Sequence, residues 1–288
     1  MDINWYPGHM AKTRRKLSEQ IGQVDLVIEL CDARLPFSSR NPDLDLLIGS
    51  KSRILFLNKA DLADPEITNS WLHYFKKEGL NASALQANQL KPKITIAAIE
   101  KTVQSAIDHA ALKGVRKTIR AMVVGVPNVG KSTYINHLRG ASIALTGDRP
   151  GITRSNQWVK ITPYLELLDT PGLLWPRLSD QVSARRLCYL GTIRDDILDL
   201  DELTMSLLND LSESCPDSLE NRFHVNDHTL RDLPLLNAVC QGRGFLRRGN
   251  EPDYERCYHV VLDEFRSGKL GRITLERPER TYADHGQS

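Results

Sequence analysis

Residues 118–132 have the sequence TIRAMVVGVPNVGKS, in which a short apolar run leads directly into a glycine-rich turn. The run Thr118–Val124 is too short for a buried helix and predicts a buried strand. Gly125–Ser132 follows with the pattern GxxxxGK[ST], and the residues after it predict a short helix. Backbone N–H groups at a helix N-terminus attract phosphate oxygens, while Lys131 adds a positive charge and Ser132 a hydroxyl that suits magnesium. This segment therefore predicts a phosphate-binding loop in an α/β fold.

The flanking sequence alternates short apolar runs with helical stretches over roughly the first 175 residues. That alternation favours a mostly parallel sheet with helices on both faces. Asp64 and Pro65 are typical of a helix start and Gly79 of a helix end, so we expect a helix over Glu66–Glu78. A further helix is expected over Ile94–Lys113, and strands over Val24–Cys31, Arg53–Leu57, Asn81–Ala87, Trp158–Ile161 and Tyr164–Leu168.

The pattern becomes helical beyond Pro176, without a strand-like apolar run between the helical segments of the sequence. The candidate helices are Ser179–Leu190, Asp201–Leu211, Leu233–Val239 and Asp253–Ser267. We therefore expect two domains, an α/β domain over residues 1–176 and a small all-α domain over residues 177–288.

A second polar motif, Asn58-Lys59-Ala60-Asp61, follows the predicted strand Arg53–Leu57. A carboxylate at Asp61 can accept hydrogen bonds from N1–H and the exocyclic amine of guanine, whereas adenine offers no such pair. A site that leaves a buried carboxylate unpaired with the wrong base discriminates strongly against it. Together the two motifs predict GTP or GDP as the ligand. The expected contacts are Asn58, Lys59, Ala60, Asp61, Asn128, Val129, Gly130, Lys131, Ser132, Thr133 and Gly172.

A magnesium site is predicted from three oxygen-bearing side chains. Asp169-Thr-Pro-Gly172 ends the predicted strand Tyr164–Leu168, where an aspartate can hold Mg²⁺ through water and the Gly172 N–H can meet the γ-phosphate. Thr153 lies between the phosphate-binding loop and this motif, in a position that suits a second hydroxyl ligand on a switch segment. We therefore expect Ser132, Thr153 and Asp169 to bind the metal.

The order of these motifs along the chain is unusual, because the NKxD motif at Asn58–Asp61 precedes the phosphate-binding loop. An ordinary GTPase places NKxD after the DTPG motif. Termini and loops tolerate relocation while a sheet keeps its packing, so this order predicts a circularly permuted P-loop GTPase domain. The chain after Gly172 then runs directly into the helical domain, which joins the γ-phosphate switch to that domain covalently.

The sequence resembles the circularly permuted GTPases of ribosome assembly over nearly its full length. The resemblance implies a GTP hydrolase that acts on a maturing large ribosomal subunit, with rRNA and ribosomal proteins as partners. It rests on Trp5–Met10 (WYPGHM), Asp32-Ala-Arg34, Asn58–Asp61, Gly125–Thr133, Gly147–Thr153 and Asp169–Gly172 followed by Leu-Leu-Trp-Pro.

The resemblance also implies the catalytic residues. Position 173, where many GTPases have a water-orienting glutamine, is Leu173, which cannot orient water by hydrogen bonding. In the family His9 is implicated instead, and a neutral imidazole suits that task near neutral pH. Lys131, which bridges the β- and γ-phosphates, is the second expected catalytic residue. Asn128 matches an asparagine associated with potassium-stimulated GTPases, so K⁺ is a further expected cofactor beside Mg²⁺.

The loop that contacts the guanine O6 has two candidates, Ser83-Ala84 and Gln86-Ala87. Length and strand register favour the later pair, so Gln86 and Ala87 join the predicted site. Gln86 departs from the small polar residue that the family usually has there.

Two basic runs, Lys12–Lys16 and Lys113–Arg120, could contact RNA or simply form solvated surfaces. The net charge of +2 indicates no partner by itself. The resemblance implies RNA contact by the helical domain, whose candidate residues are Arg243, Arg247, Arg248 and Arg266.

The favoured function is a GTP-hydrolysing switch in late assembly of the large ribosomal subunit, with hydrolysis stimulated by that subunit. The alternative is an RNA-binding assembly chaperone that uses nucleotide as a structural ligand; the complete set of predicted magnesium and phosphate residues speaks against it. A tRNA-modification GTPase would share Asn128, but the sequence offers no modification domain.

Five scattered cysteines form no CxxC pair, which argues against a zinc site or a disulfide framework. The sequence has no apolar leader and no run of about eighteen apolar residues. We therefore expect a cytoplasmic protein without a membrane span, and we expect a monomer.

Overall fold

The computed structural model describes residues 7–140, 157–172 and 180–279, with side chains from residue 15 onward. The predictions for Thr153, Leu173 and the side chains of His9, Lys12 and Arg14 lie outside these limits, although the backbone from Pro7 onward belongs to the first helix.

The strands form one mixed sheet in the order β3-β2-β1-β4-β6-β5. Every neighbouring pair is parallel except β5 and β6, which form the predicted antiparallel hairpin. This confirms the mostly parallel α/β sheet. The strands are β1 Leu26–Asp32, β2 Ser52–Asn58, β3 Ala82–Ala84, β4 Ile119–Val124, β5 Gln157–Thr162 and β6 Leu165–Asp169.

Helices surround the sheet and make up most of the region after residue 180. Those of the first half are α1 Pro7–Gly22, α2 Asp43–Ile48, α3 Pro65–Lys77, α4 Pro92–Thr102, α5 Gln104–Leu112 and α6 Lys131–Arg139. Those of the second half are α7 Gln181–Tyr189, α8 Leu200–Ser214, α9 Pro216–Phe223, α10 Asp232–Arg243 and α11 Tyr254–Ser267. In the described ranges no helix is long and apolar enough to cross a bilayer.

The core lies on both faces of the sheet, because β1 is buried along its whole length. On one face Leu17 and Ile21 of α1 pack with Met122 and Leu168. On the other, Ile28 packs in a cluster that includes residues from α4 and α6 and continues into α7, α8, α10 and α11. The helical region therefore shares a continuous apolar core with the sheet.

The C-terminal segment after α11 returns to the loops of the first half. The backbone N–H groups of Ile273 and Leu275 donate to Leu62 O and Arg34 O, at 2.9 and 3.0 Å. Glu276 is buried and accepts from the backbone N–H of Phe37 at 2.7 Å. No local sequence pattern predicts these contacts, which fix the helical region against the loop that follows β1.

Several predicted boundaries differ from those in the structure. The expected helix Ile94–Lys113 is interrupted at Val103, which leaves helical geometry and is buried in the core. The expected strand Asn81–Ala87 pairs only over Ala82–Ala84, because the chain then turns at Ala87 towards Asn58. Helices α1, α2 and α9 were not predicted. The division at residue 176 stays a prediction.

Candidate functional site

The candidate site lies at the carboxyl ends of the parallel strands. The chain proceeds from β1 outward to β2 and β3, and then returns to place β4 on the other side of β1. The loops after β1 and β4 therefore diverge, and in open α/β sheets ligands bind in the crevice at such a switch point. Asp32, Asn58, Gly125 and Asp169 end or directly follow β1, β2, β4 and β6.

The phosphate-binding loop runs from the end of β4 to the start of α6, as predicted. Gly130 has a φ of 99°, and a Cβ there would lie 2.5 Å from the Asn58 Nδ2 atom, so only glycine fits. The Lys131 side chain is buried and its Nζ donates to Gly125 O and Val126 O at 3.1 and 2.9 Å. Burial lowers the pKa of Lys131 to about 8, although Asp169 raises it in part. Lys131 thus keeps its charge near neutral pH inside the loop.

The guanine motif is hydrogen-bonded to the phosphate-binding loop through Asn58. Its buried Nδ2 atom donates to Val129 O at 2.7 Å, and its Oδ1 atom accepts from the Ala87 N–H at 2.9 Å. One side chain therefore fixes the spacing of three loops. The turn after Asn58 needs Lys59 at a φ of 58°, and Asp61 is half-buried on that turn.

The same contact bears on the two candidate guanine loops. Ser83 and Ala84 lie on the edge strand β3 with exposed side chains. Ala87 is buried, and its backbone is held by Asn58 beside the guanine motif. The Gln86-Ala87 pair therefore has the position that the prediction requires, although its contact with a base stays a prediction.

The predicted magnesium residues Ser132 and Asp169 lie side by side. The Ser132 hydroxyl donates to Asp169 Oδ2 at 3.3 Å, and Thr170 of the DTPG motif donates to Val123 O of β4 at 2.7 Å. A hydroxyl and a carboxylate beside a phosphate-binding loop are the hard oxygen donors that Mg²⁺ prefers. These residues fit a magnesium ion, which they would hold through oxygen atoms.

The DTPG turn lies close against the phosphate-binding loop. A Cβ at Gly172 would be 2.6 Å from Pro127 Cα and 2.7 Å from Pro127 N, so only a residue without a side chain allows this approach. The predicted γ-phosphate contact at Gly172 is thus placed next to the loop that would hold the β-phosphate.

An ion-pair network that the sequence predictions did not assign lies behind the guanine motif. Arg34 donates from Nε and Nη2 to the two carboxylate oxygens of Asp32, both at 2.8 Å, and Lys59 Nζ lies 3.0 Å from Asp32 Oδ2. Burial alone would raise the pKa of Asp32, but the Arg34 and Lys59 charges hold that pKa well below its usual range. Asp32-Ala-Arg34 is one of the segments on which the family resemblance rests. In the structure its two charged residues form a buried ion pair.

Arg266, grouped with the candidate RNA contacts, is half-buried and held by contacts within the protein. Its guanidinium donates to both carboxylate oxygens of Asp195, at 2.7 and 2.8 Å, and its Nε donates to Tyr189 O at 2.9 Å. Arg247 and Arg248 are exposed, as RNA contacts would need to be. RNA contact by Arg247, Arg248 and Arg266 stays a prediction.

Comparisons with known proteins agree with this geometry. Residues 120–214 match the family described as "50S ribosome-binding GTPase". Ribosome biogenesis GTPase A of Bacillus cereus is 45% identical over 281 residues, which cover 97% of this chain and 95% of that protein. Mitochondrial ribosome-associated GTPase 1 of Mus musculus is 33% identical, over 95% of this chain and 90% of the relative.

Solved structures show the same fold. The GDP-bound structure of TM YlqF has a TM-score of 0.66 at 26% identity, over 92% of this chain and all of that chain. The GNP-bound YlqF from T. maritima has a TM-score of 0.64 at 26% identity, over 93% and 99% of the two chains. With its phosphate-binding loop, guanine motif and DTPG turn at one sheet edge, the chain belongs to the ribosome biogenesis GTPase A family and is a GTP hydrolase.

Proposed function

We propose that the protein is a GTP-hydrolysing switch in late assembly of the large ribosomal subunit. Its GTP-bound form binds a subunit precursor, contacts with rRNA and ribosomal proteins stimulate hydrolysis, and the GDP-bound form is released. The observation that carries this proposal is the position of the DTPG turn. Gly172 lies against the phosphate-binding loop, and α7 of the helical region begins further along the same chain, at Gln181. In this proposal a change at the γ-phosphate is transmitted along the chain to that region.

Each motif has a distinct task in this proposal. Asp61 accepts from the guanine base, with Lys59 and Ala60 on the same turn, and the Gln86-Ala87 turn covers the O6 edge. Val129, Gly130 and Thr133 offer backbone N–H groups to the phosphates beside Lys131. When bound, Mg²⁺ supplies positive charge against the developing negative charge on the phosphates, and Ser132, Thr153 and Asp169 would hold it.

His9 is proposed as the residue that orients the attacking water. It lies in the first turn of α1, which begins at Pro7. The same chain segment carries the basic residues Lys12–Lys16. RNA that contacts this segment would also fix the position of His9, so hydrolysis would be slow until the protein is docked.

A basic surface with exposed aromatic rings supports RNA as the docking partner. Arg116 lies over the Tyr164 ring at 5.6 Å, and Arg120 lies over the Trp158 ring at 5.5 Å. All four side chains are exposed, as is Lys160 on the edge strand β5. Arginines and aromatic rings together suit phosphate neutralisation and base stacking.

The test is GTP turnover by the purified protein with large ribosomal subunits, small subunits or neither, in potassium and in sodium. We expect large subunits to accelerate wild type by about a hundredfold, or about 2.7 kcal/mol, and small subunits to have no comparable effect. His9→Ala should bind GTP but lose the acceleration, whereas His73→Ala, at an exposed position on α3, should behave like wild type.

Potassium dependence is proposed separately, from Asn128. Faster turnover in potassium than in sodium, lost in Asn128→Ala, would support it. Equal turnover with and without large subunits would contradict the switch. A Lys131→Ala variant that still supports subunit assembly would favour the assembly chaperone with a structural nucleotide.

A further inference from the structure

A cavity of about 400 Å³ lies between the two nucleotide motifs and the helical region. Lys59 of the guanine motif and Asn128 of the phosphate-binding loop line one side. The other side comes from the segment after α7 and from the end of α11, through Leu190, Gly191, Ile193, Arg194, Asp195 and Arg266. A nucleotide that contacts both motifs would therefore lie beside residues of the helical region.

The segment after α7 is attached to the phosphate-binding loop. Asn128 has a φ of 63°, and its side-chain Nδ2 donates to Gly191 O. A Cβ at Gly191 would lie 3.4 Å from Asn128 Nδ2 and 3.3 Å from Arg266 Nε, so the approach is close from two sides. The residue predicted to bind a cation thus contacts the chain itself in this structure.

Two arginines hold this arrangement by capping helix ends. The last carbonyls of a helix lack intrahelical partners and carry partial negative charge. Arg266 donates to Cys188 O and Tyr189 O at the end of α7, at 3.2 and 2.9 Å. Arg34 donates to Phe265 O and Arg266 O at the end of α11, at 2.6 and 3.3 Å.

These contacts close a ring that begins and ends at the nucleotide motifs. Lys59 pairs with Asp32, and Asp32 pairs with Arg34, which caps α11. Arg266 of α11 then holds α7 and Asp195. The segment they hold contains Gly191, which returns to Asn128 of the phosphate-binding loop.

We propose that residues 190–195 form an outer wall of the nucleotide pocket, that Arg266 is the positioning residue for this wall, and that the wall slows nucleotide release. The inference rests on the nucleotide site proposed above. A partner that shifts α11 or α7 would therefore change how tightly nucleotide is held. Because such coupling is reciprocal, bound nucleotide stabilises the position of the helical region.

The experiment measures dissociation of a fluorescent N-methylanthraniloyl GDP from full-length protein, chased with excess GDP. Arg266→Ala and Asp195→Ala are each expected to speed dissociation by about tenfold, because each removes the ion pair that attaches the wall to α11. The double variant should be no faster than the faster single variant, since both changes release the same segment.

Arg222→Ala is the matched control for a loss of stability in α11. Arg222 of α9 donates to Glu264 of α11 at 2.8 Å, but Arg222 does not line the cavity. It should dissociate the nucleotide at the wild-type rate. Thermal unfolding of all variants shows whether each one is folded at the assay temperature.

Three results would overturn the inference. These are unchanged dissociation in both single variants, an equal acceleration in Arg222→Ala, or additive effects in the double variant. Failure of the nucleotide site itself gives a different result, because Lys131→Ala would then bind the fluorescent GDP as tightly as wild type does.

Discussion

The side-chain amide of Asn58 donates to the carbonyl oxygen of Val129 at 2.7 Å, across 71 residues of sequence. This bond joins the guanine motif to the phosphate-binding loop, and the Asn58 oxygen holds the Ala87 N–H at the same time. In this permuted chain the guanine motif comes first, so the bond depends on β1 lying between β2 and β4.

Replacing Asn58 with alanine should weaken nucleotide binding and stability together. The change leaves the buried Val129 carbonyl and Ala87 N–H without their partner, at about 1–3 kcal/mol for each group. GTP affinity should fall by about tenfold or more, which a fluorescence titration measures. Asn81→Ala is the control, because Asn81 bonds to Thr102 at an exposed position. An Asn58→Ala variant that binds GTP like wild type would refute this account.

Asp61→Asn should change base specificity. The amide can no longer accept both guanine donors as a carboxylate does, but it can donate to the second carbonyl oxygen of xanthine. We expect GTP affinity to fall by about a hundredfold and affinity for xanthosine triphosphate to rise. Competition titrations with both nucleotides measure this. If both affinities fall equally, Asp61 does not contact the base.

Nucleotide binding should take up protons above pH 8, because burial lowers the pKa of Lys131 to about 8 in the free protein. Phosphate contacts favour the charged amine and raise that pKa on binding. At about pH 8.5 binding should take up about three quarters of a proton, and near pH 7 almost none from this lysine. Calorimetry with GDP in buffers of different ionisation enthalpy measures the uptake. Equal uptake at both pH values would contradict the assignment to Lys131.

The free energy of unfolding should also depend on pH through Lys131. The pKa of Lys131 is lower in the folded than in the unfolded chain, so unfolding takes up a proton between about pH 8 and the usual lysine pKa of 10.5. Stability of the nucleotide-free protein, relative to Lys131→Met, should therefore rise with pH through that window and be lowest below it. Urea unfolding of both proteins at matched pH values checks the sign.

Arg34→Met should be strongly destabilising. Asp32 is fully buried, and loss of Arg34 leaves its carboxylate paired with Lys59, at a cost of about 3–5 kcal/mol. The double variant Asp32→Asn with Arg34→Met should be more stable than Arg34→Met alone, because the buried charge is also gone. Arg15→Ala, which breaks an exposed pair with Glu19, is the control and should change stability little. Urea unfolding measures all four proteins.

Gly172→Ala should reduce GTP hydrolysis but leave GDP affinity nearly unchanged. The added methyl group would meet the backbone of Pro127, so the DTPG turn must move away from the phosphate-binding loop. GDP affinity should stay within about threefold of wild type, while GTP hydrolysis falls by about tenfold or more. Gly22→Ala, where a Cβ meets nothing within 4 Å, is the control. Unchanged hydrolysis in Gly172→Ala would refute the γ-phosphate contact.

Local sequence determined the motifs and most of the strands of this protein. The chemistry of a phosphate-binding loop depends on a few adjacent residues, so Gly125–Ser132 and Asn58–Asp61 could be assigned without a structure. The apolar runs before them predicted β2 and β4 because buried parallel strands have few polar residues. The order of the motifs predicted the permutation in the same way.

The tertiary structure alone decided which distant residues meet. It placed Ala87 rather than Ala84 beside Asn58, turned Arg266 inward onto Asp195, and returned the segment at Ile273–Glu276 to the loops after β1 and β2. These contacts satisfy buried polar groups and helix ends across long stretches of chain. Their partners are set by how the helices pack on the sheet, and no periodic pattern within one segment carries that information.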